Sequence, residues 1–255
     1  MKRLGCVGLA AVMSILTLAG CGQSDLKADT DTVYVEKNGT VLSMDVEAFD
    51  QEYYDEAELK EFVDSEVADY NGQHGEKSVE VKDLSVEDGT AKLKMAYRTV
   101  DDYTAFTGVE LYQGKVVQAM AAGYDFDVDF AAVDEDGVHG VLGSEITDQG
   151  DLKVVIIKAN TNVQVDGKIL YVSCDNVTLT GKNTVSIQTG TGIEKTWKTE
   201  SEQVPATEAM EGTESEDDFV IEGEVVVSTE EPENVVTDIK GDPSETDVYT
   251  YILYK

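Results

Sequence analysis

Two Asx-Gly pairs, Asn38-Gly39 and Asp88-Gly89, each separate runs in which apolar and polar residues alternate. Such a pair supplies the positive φ angles of a tight hairpin turn, and period-two alternation buries one face of a strand. Val33, Val35 and Val41 flank the first pair, which predicts strands over 32–37 and 40–46. Val79, Val81, Leu84 and Val86 precede the second, and Ala91, Leu93, Met95 and Tyr97 follow it. Sheets of this kind bury one face and wet the other, so something must cover the apolar side. Between the hairpins, Leu59, Phe62, Val63, Val67 and Tyr70 recur at helical spacing. Asp55-x-x-Glu58 fits a capping box, and Gly72 is placed to end the helix, giving a helix over 55–71. The expected fold class is therefore α+β, rich in antiparallel sheet, with one amphipathic helix laid on it.

The second half continues the theme. A short helical turn is expected near Asp101–Phe106. Residues 109–123 are read as a helix closed by Gly123, the alternative being a strand. Val154-Val155-Ile156-Ile157 reads as a buried strand, and Val163 and Val165 are expected to meet Ile169 and Tyr171 across an Asp166-Gly167 turn. Short strands over 151–188 suggest a meander or small sandwich; without a fixed repeat period a β-helix is disfavoured. Residues 199–218 hold eight acidic residues and neither Lys nor Arg. Such a segment cannot bury enough apolar area to offset its chain entropy, and 194–218 is expected to be a disordered acidic insertion. Residues 219–255 are then returning strands, ending in Val248–Tyr254, which is apolar on both faces.

Charge removes whole classes of function. The 255 residues carry 52 Asp and Glu against 19 Lys and Arg, a formal net charge of −33. Nucleic-acid binding needs a cationic surface to displace counterions, so no nucleic-acid partner is expected. Three Cys make no disulfide framework, and no P-loop, G-x-G-x-x-G, G-x-S-x-G or H-E-x-x-H pattern occurs. No cofactor is expected. Asp125-x-Asp127-x-Asp129 invites a calcium reading, but the sixth and twelfth positions of an EF-hand loop are Phe130 and Asp136. Phe126, Val128 and Phe130 alternate with the aspartates as in a strand with one wet face. Asp125, Asp127 and Asp129 are thus marginal metal candidates, and the general acidity is expected to collect divalent cations loosely. His74 and His139 are read as turn residues in solvent, and Cys174 as a buried structural thiol. Trp197 and the tyrosines 53, 54, 249, 251 and 254 are packing residues or parts of a binding face.

The first 21 residues are of another kind. Lys2 and Arg3 precede an uncharged apolar run, Leu4–Ala19, too short for the ~20 residues of a spanning helix. This is the layout of a secretory signal peptide. Leu18-Ala19-Gly20-Cys21 resembles the lipobox of bacterial lipoproteins. The resemblance implies cleavage before Cys21, a diacylglyceryl group on its thiol and a palmitate-type acyl anchor in the bilayer. Residues 1–20 are then signal, 21–31 a lipid-anchored polar tether and 32–193 the core. Ten coil residues span roughly 17 Å. Loss of Lys2 and Arg3 leaves 17 basic residues against 52 acidic, a net charge of −35. The domain is expected to stand off from an anionic membrane, beyond a Debye length of about 8 Å. The mature hairpin–helix–hairpin stretch, with Thr32-Val33-Tyr34-Val35-Glu36 and its Asp-Gly turns, also resembles acidic lipoproteins of gut-dwelling Firmicutes. That implies an extracytoplasmic, Gram-positive cell-surface location and lends no functional residues. The expected function is a non-catalytic binding module with a protein or cell-wall polymer as partner. The alternatives are a solute-binding lipoprotein of a transporter and a carboxylate-dependent hydrolase.

Overall fold

The computed structural model describes residues 26–134, 137–193 and 246–255. Cys21, the 194–218 insertion, Trp197 and residues 219–245 lie outside them. In chain order the elements begin with β1 (Thr32–Val35), β2 (Val41–Ala48), α1 (Glu56–His74), β3 (Val79–Glu87), β4 (Thr90–Tyr97) and α2 (Val100–Thr107). Then come β5 (Leu111–Lys115), α3 (Val116–Ala121), β6 (Phe130–Asp134), β7 (Gly137–Val141), α4 (Gly143–Thr147) and β8 (Lys153–Ile157). The chain closes with β9 (Asn162–Val165), β10 (Ile169–Ser173), β11 (Asp175–Leu179), β12 (Thr184–Gly192) and β13 (Thr250–Tyr254). The fold is α+β, as the residue pattern predicts, with three short helices beside α1.

The strands form two sheets. Sheet A runs β11-β12-β9-β1-β2-β4-β3 and sheet B runs β5-β8-β13-β10-β6-β7. Both Asx-Gly hairpins form. The second turns on Asp88-Gly89 alone, with Glu87 paired to Thr90. In the first, Val35 pairs with Val41 and the Glu36 amide donates to the Thr40 carbonyl, so Lys37-Asn38-Gly39 is a three-residue loop and the register is one residue off that of a two-residue turn. Only the β1–β9 pairing is parallel among the described strands. One apolar cluster joins residues of both sheets, including Val33, Val35 and Val163 of sheet A and Ile157, Val172 and Ile252 of sheet B. The sheets therefore share a core between their inner faces, as in a sandwich. The outer face of sheet B buries Val154, Ile156, Tyr251 and Leu253 under Val116 and Ala119 of α3 and Ile146 of α4. The outer face of sheet A buries Tyr34, Leu42, Met44 and Ala96 with Leu26.

Several local expectations are corrected. α1 begins as predicted, with Asp55 Oδ1 accepting from the amides of Ala57 (2.8 Å) and Glu58 (3.1 Å). It does not stop at Gly72; it runs on to Gly75, whose φ of 103° breaks it. Residues 109–123 divide into β5 and the short α3, because Leu111–Lys115 finds an open edge on β8. Residues 125–129 are not a strand. The Asp127 amide donates to Asp125 Oδ1 at 2.9 Å, a side-chain turn that competes with ladder pairing, and β6 starts only at Phe130. The proposed β9–β10 hairpin does not exist. β9 pairs with β1 and β12, and β10 with β6 and β13. The reason is β13: apolar on both faces, it must sit inside a sheet, and it takes the places between β8 and β10. At the crossing, a Cβ on Gly167 would come within 2.3 Å of the Lys255 carbonyl oxygen, so the chain passes only as glycine.

The span expected as tether is described from Leu26 onward, and that part lies on sheet A. Leu26 is 3% exposed. Asp31 Oδ1 accepts from the Val46 amide at 2.8 Å, and Lys92 Nζ reaches Asp29 at 2.8 Å. Among the described residues no helix is long and apolar enough to cross a membrane.

Candidate binding site

Sheet A is wider than the part that sheet B covers, and α1 and α2 complete the inner face over β3 and β4. α1 is a poorly seated helix: of its 19 residues only Val63 is buried. Leu59, Val67 and Tyr70 of the predicted stripe are partly buried, while Phe62 is 62% exposed. The space this leaves is a cleft of about 580 Å³. Its floor is Val63, Leu93, Met95 and Phe106; Glu66, Asp69 and Gln73 stand on the α1 side. This combination of an apolar floor and a few polar groups is typical of small binding sites.

The wall between α1 and α2 is held by a buried carboxylate. Asp102 is 6% exposed. It accepts from Thr99 Oγ1 at 2.9 Å and Tyr70 Oη at 3.2 Å, and Arg98 Nε lies 3.3 Å away. The Thr99 hydroxyl also accepts from the Asp102 amide, which caps α2. Burial, and then the Asp102 charge, push the Tyr70 phenol above its ordinary value, so Tyr70 stays a donor. Its ring stacks on His74 (centroids 4.1 Å apart) and meets Phe106 edge-on at 5.5 Å. Tyr97 and Tyr103 lie deeper, edge to face at 5.0 Å, both raised by burial. Asp102 was not a sequence candidate; Thr99-x-x-Asp102 at a helix start is the signal that marks it.

A second carboxyl sits apart from the cleft. Asp45 on β2 accepts from Ser43 Oγ at 2.9 Å, and Ser43 shares a 3.5 Å contact with Tyr97 Oη. Asp45 is exposed to solvent, and the protein packed around its carboxyl still desolvates it enough, with smaller additions from Asp31 and Glu47, to push it up to about 6.

The other sequence candidates are dispersed. Asp125, Asp127 and Asp129 are exposed along one loop, and no group of three His, Cys, Asp or Glu among the described residues is arranged to hold a metal ion. His74 closes α1, and His139 lies on β7 with Nδ1 3.6 Å from Asp134; neither is in a turn, because helix and strand extend further than their turn-like sequences suggest. Cys174 is buried, its amide donating to the Asp129 carbonyl at 2.9 Å. Tyr251 and Tyr254 are core residues, whereas Tyr53 is 77% exposed beside Tyr54 and Phe49. Tyr249 is half-buried, and its hydroxyl donates to Glu110. That bond holds the phenol up to about 12.

No family model, no curated protein and no solved structure matches this chain.

Proposed function

We propose that this protein is a lipid-anchored, extracytoplasmic binding module of a Gram-positive cell membrane, and that the cleft beneath α1 takes an apolar or aromatic side chain of a protein partner next to positive charge. The observation that carries the binding half is the cleft itself. Val63, Leu93, Met95 and Phe106 offer apolar area, and Glu66 and Asp69 offer negative charge at its edge. Burying one large apolar side chain contributes about 1.5–3 kcal/mol, enough for a transient contact that nearby charge then makes selective. Asp102 and Tyr70 are committed to each other and to the fold, which suits recognition rather than turnover.

The anchoring half rests on Leu18-Ala19-Gly20-Cys21. Leu26 is seated on sheet A, so Cys21 is only five residues from fixed structure, about 17 Å when extended. Acyl chains on Cys21 would hold the outer face of sheet A toward the bilayer. That face carries Lys82, Lys92 and Lys94 beside Asp29, Glu80 and Asp83, with Lys82 paired to Glu80 and Lys92 to Asp29, so it is less acidic than the chain as a whole. The α1 cleft, on the inner side of the same sheet, remains accessible.

Two measurements test the reading. Cys21→Ser should move the protein from the membrane fraction to the soluble fraction; undiminished membrane retention refutes the anchor. The cleft should bind the tripeptide Lys-Phe-Lys and reject Glu-Phe-Glu in an NMR titration, with Phe62→Ser weakening the first. Equal binding of the two peptides refutes the charge argument. A second reading, a carboxylate-dependent hydrolase, draws on Asp45, a carboxyl raised by its surroundings near Asp31. It requires turnover of a glycan or peptide substrate that Asp45→Asn abolishes.

A further inference from the structure

We infer that the outer face of sheet B carries a saccharide-binding groove centred on Tyr124, which takes a neutral pyranose oligosaccharide. This site is separate from the α1 cleft and needs neither that assignment nor the anchor.

Recognition of a pyranose takes two kinds of group. Flat aromatic faces meet the C–H side of the sugar ring, whose hydrogens carry slight positive charge toward the negative π face. Carboxylates and hydroxyls meet its hydroxyl groups. The two kinds meet at Tyr124, which belongs both to a row of aromatic rings and to a polar groove. Tyr112 on β5, Tyr124 after α3 and Tyr249 before β13 form a continuous row. Tyr112 and Tyr124 have centroids 5.0 Å apart and are tilted by 50°, and Tyr249 meets Tyr124 edge-on at 5.7 Å and 89°. All three rings are half-buried against the cluster below them, which fixes them and leaves the remainder to solvent.

The row is pre-set by its surroundings. A Cβ on Gly114 would lie 2.4 Å from Tyr112 Oη and 2.9 Å from its Cζ. Tyr112 therefore lies down along β5 over a residue without a side chain. Tyr249 is tied to Glu110 through its hydroxyl, and Lys158 Nζ stands 5.7 Å from its ring centroid. Rings held this way lose little freedom when a ligand arrives.

Tyr124 also forms one wall of a groove of about 330 Å³. Asp125, Asp127, Ser144 and Thr147 supply its polar groups, and buried Phe126 lies beneath. The two sides are drawn together at Gly143, where a Cβ would meet the Phe126 carbonyl oxygen at 2.0 Å. That contact brings the start of α4, with Ser144, against the 125–127 loop. Asp125 is already shaped by its bond to the Asp127 amide. A volume of this order lies within the range of small-molecule sites, about 300–1,000 Å³. The carboxylates select the class of sugar. They accept from hydroxyls and repel uronates, sulfates and phosphates, an effect the net charge of −33 reinforces.

The test titrates the full chain with the β-1,4-linked tetramers of glucose and of N-acetylglucosamine, read by saturation-transfer NMR. At least one tetramer should bind in about the millimolar range, with saturation on its ring C–H protons. Tyr124→Ala should weaken it about tenfold or more and Ser144→Ala by a smaller factor, on the pattern of a central aromatic anchor with a polar rim. Phe62→Ser, in the other cleft, should leave it unchanged. Melting temperatures establish that each variant is folded. If Tyr124→Ala does not fold, the exposed rim variants Ser144→Ala and Asp127→Ala carry the test, and wild-type binding by both overturns the site. Binding by neither tetramer, wild-type binding by folded Tyr124→Ala, or equal binding of a tetragalacturonate overturns it as well.

Discussion

Asp45 shows what a single residue adds to the physics of this chain. As one of 52 acidic residues it has no distinguishing sequence context. Its place on the inner side of β2, beside Ser43 and near Asp31, pushes its carboxyl from an ordinary 3.8 to about 6. Between those values the folded protein holds a proton that the unfolded chain has released. Stability linked to this group is therefore present below about pH 4 and is lost as pH rises through 6. Asp45→Asn removes the titration. The difference in melting temperature, variant minus wild type, should increase from pH 4 to pH 7 in favour of the variant. A difference that stays flat across that window refutes the shift. Asp29, Glu80 and Asp151 run the other way, each lowered by its lysine neighbour, so only the paired comparison isolates Asp45.

At the scale of elements, the hairpins and the start of α1 were legible because their causes are local. An Asx-Gly pair, an alternating run and an Asp at the N-cap each act within a few residues. The end of α1 is not fixed by the local sequence, because the chain offers two glycines. Gly72 is followed by Gln73 and His74, and His74 gains a stacked contact with Tyr70 one turn back. That contact, with Ser78 bonding to the His74 carbonyl at 3.0 Å, extends the helix to Gly75. The two glycines should then respond oppositely to the same change. Gly72→Ala adds a methyl with nothing within 4 Å and should stabilise by about 0.5–1 kcal/mol. Gly75→Ala forces a side chain onto a φ of 103° and should destabilise by more than that. Chemical denaturation of both variants checks this; stabilisation by Gly75→Ala would show that the helix ends elsewhere. The 125–129 loop departs from its local pattern for a related reason. Its alternation is strand-like, but Phe126 and Phe130 face the same cluster from a turn that Asp125 closes.

For the whole molecule, the last strand governs sheet B. β13 pairs with β8 from Thr250 to Tyr254 and with β10 on its other side. Tyr251, Ile252, Leu253 and Tyr254 are all buried, facing two different apolar clusters. Truncation after Val248 should therefore cost far more than a terminal deletion usually does, since it removes a central strand and splits both cores. The expected result is loss of the cooperative thermal transition. A truncated chain that melts like the full one would refute the central placement.

The α1 cleft and the Tyr124 groove were both invisible in the sequence, for one reason. Phe62, Leu93, Met95 and Phe106 look like ordinary stripe and strand residues, and Tyr112 and Tyr124 were not singled out. They become surfaces only when a helix seats poorly or a ring lies over Gly114.

By itself, the order of residues determined the class of fold, the places of the two hairpins, the capped start of α1 and the apolar, both-faced nature of residues 250–254, because these depend on periodicity and on contacts a few positions apart. Only the tertiary structure decided which strands became neighbours. It parted β9 from β10, placed β13 between β8 and β10, laid Leu26 on sheet A and opened the two concave surfaces. Those outcomes follow from burial shared among residues up to two hundred positions apart, a quantity no local pattern contains.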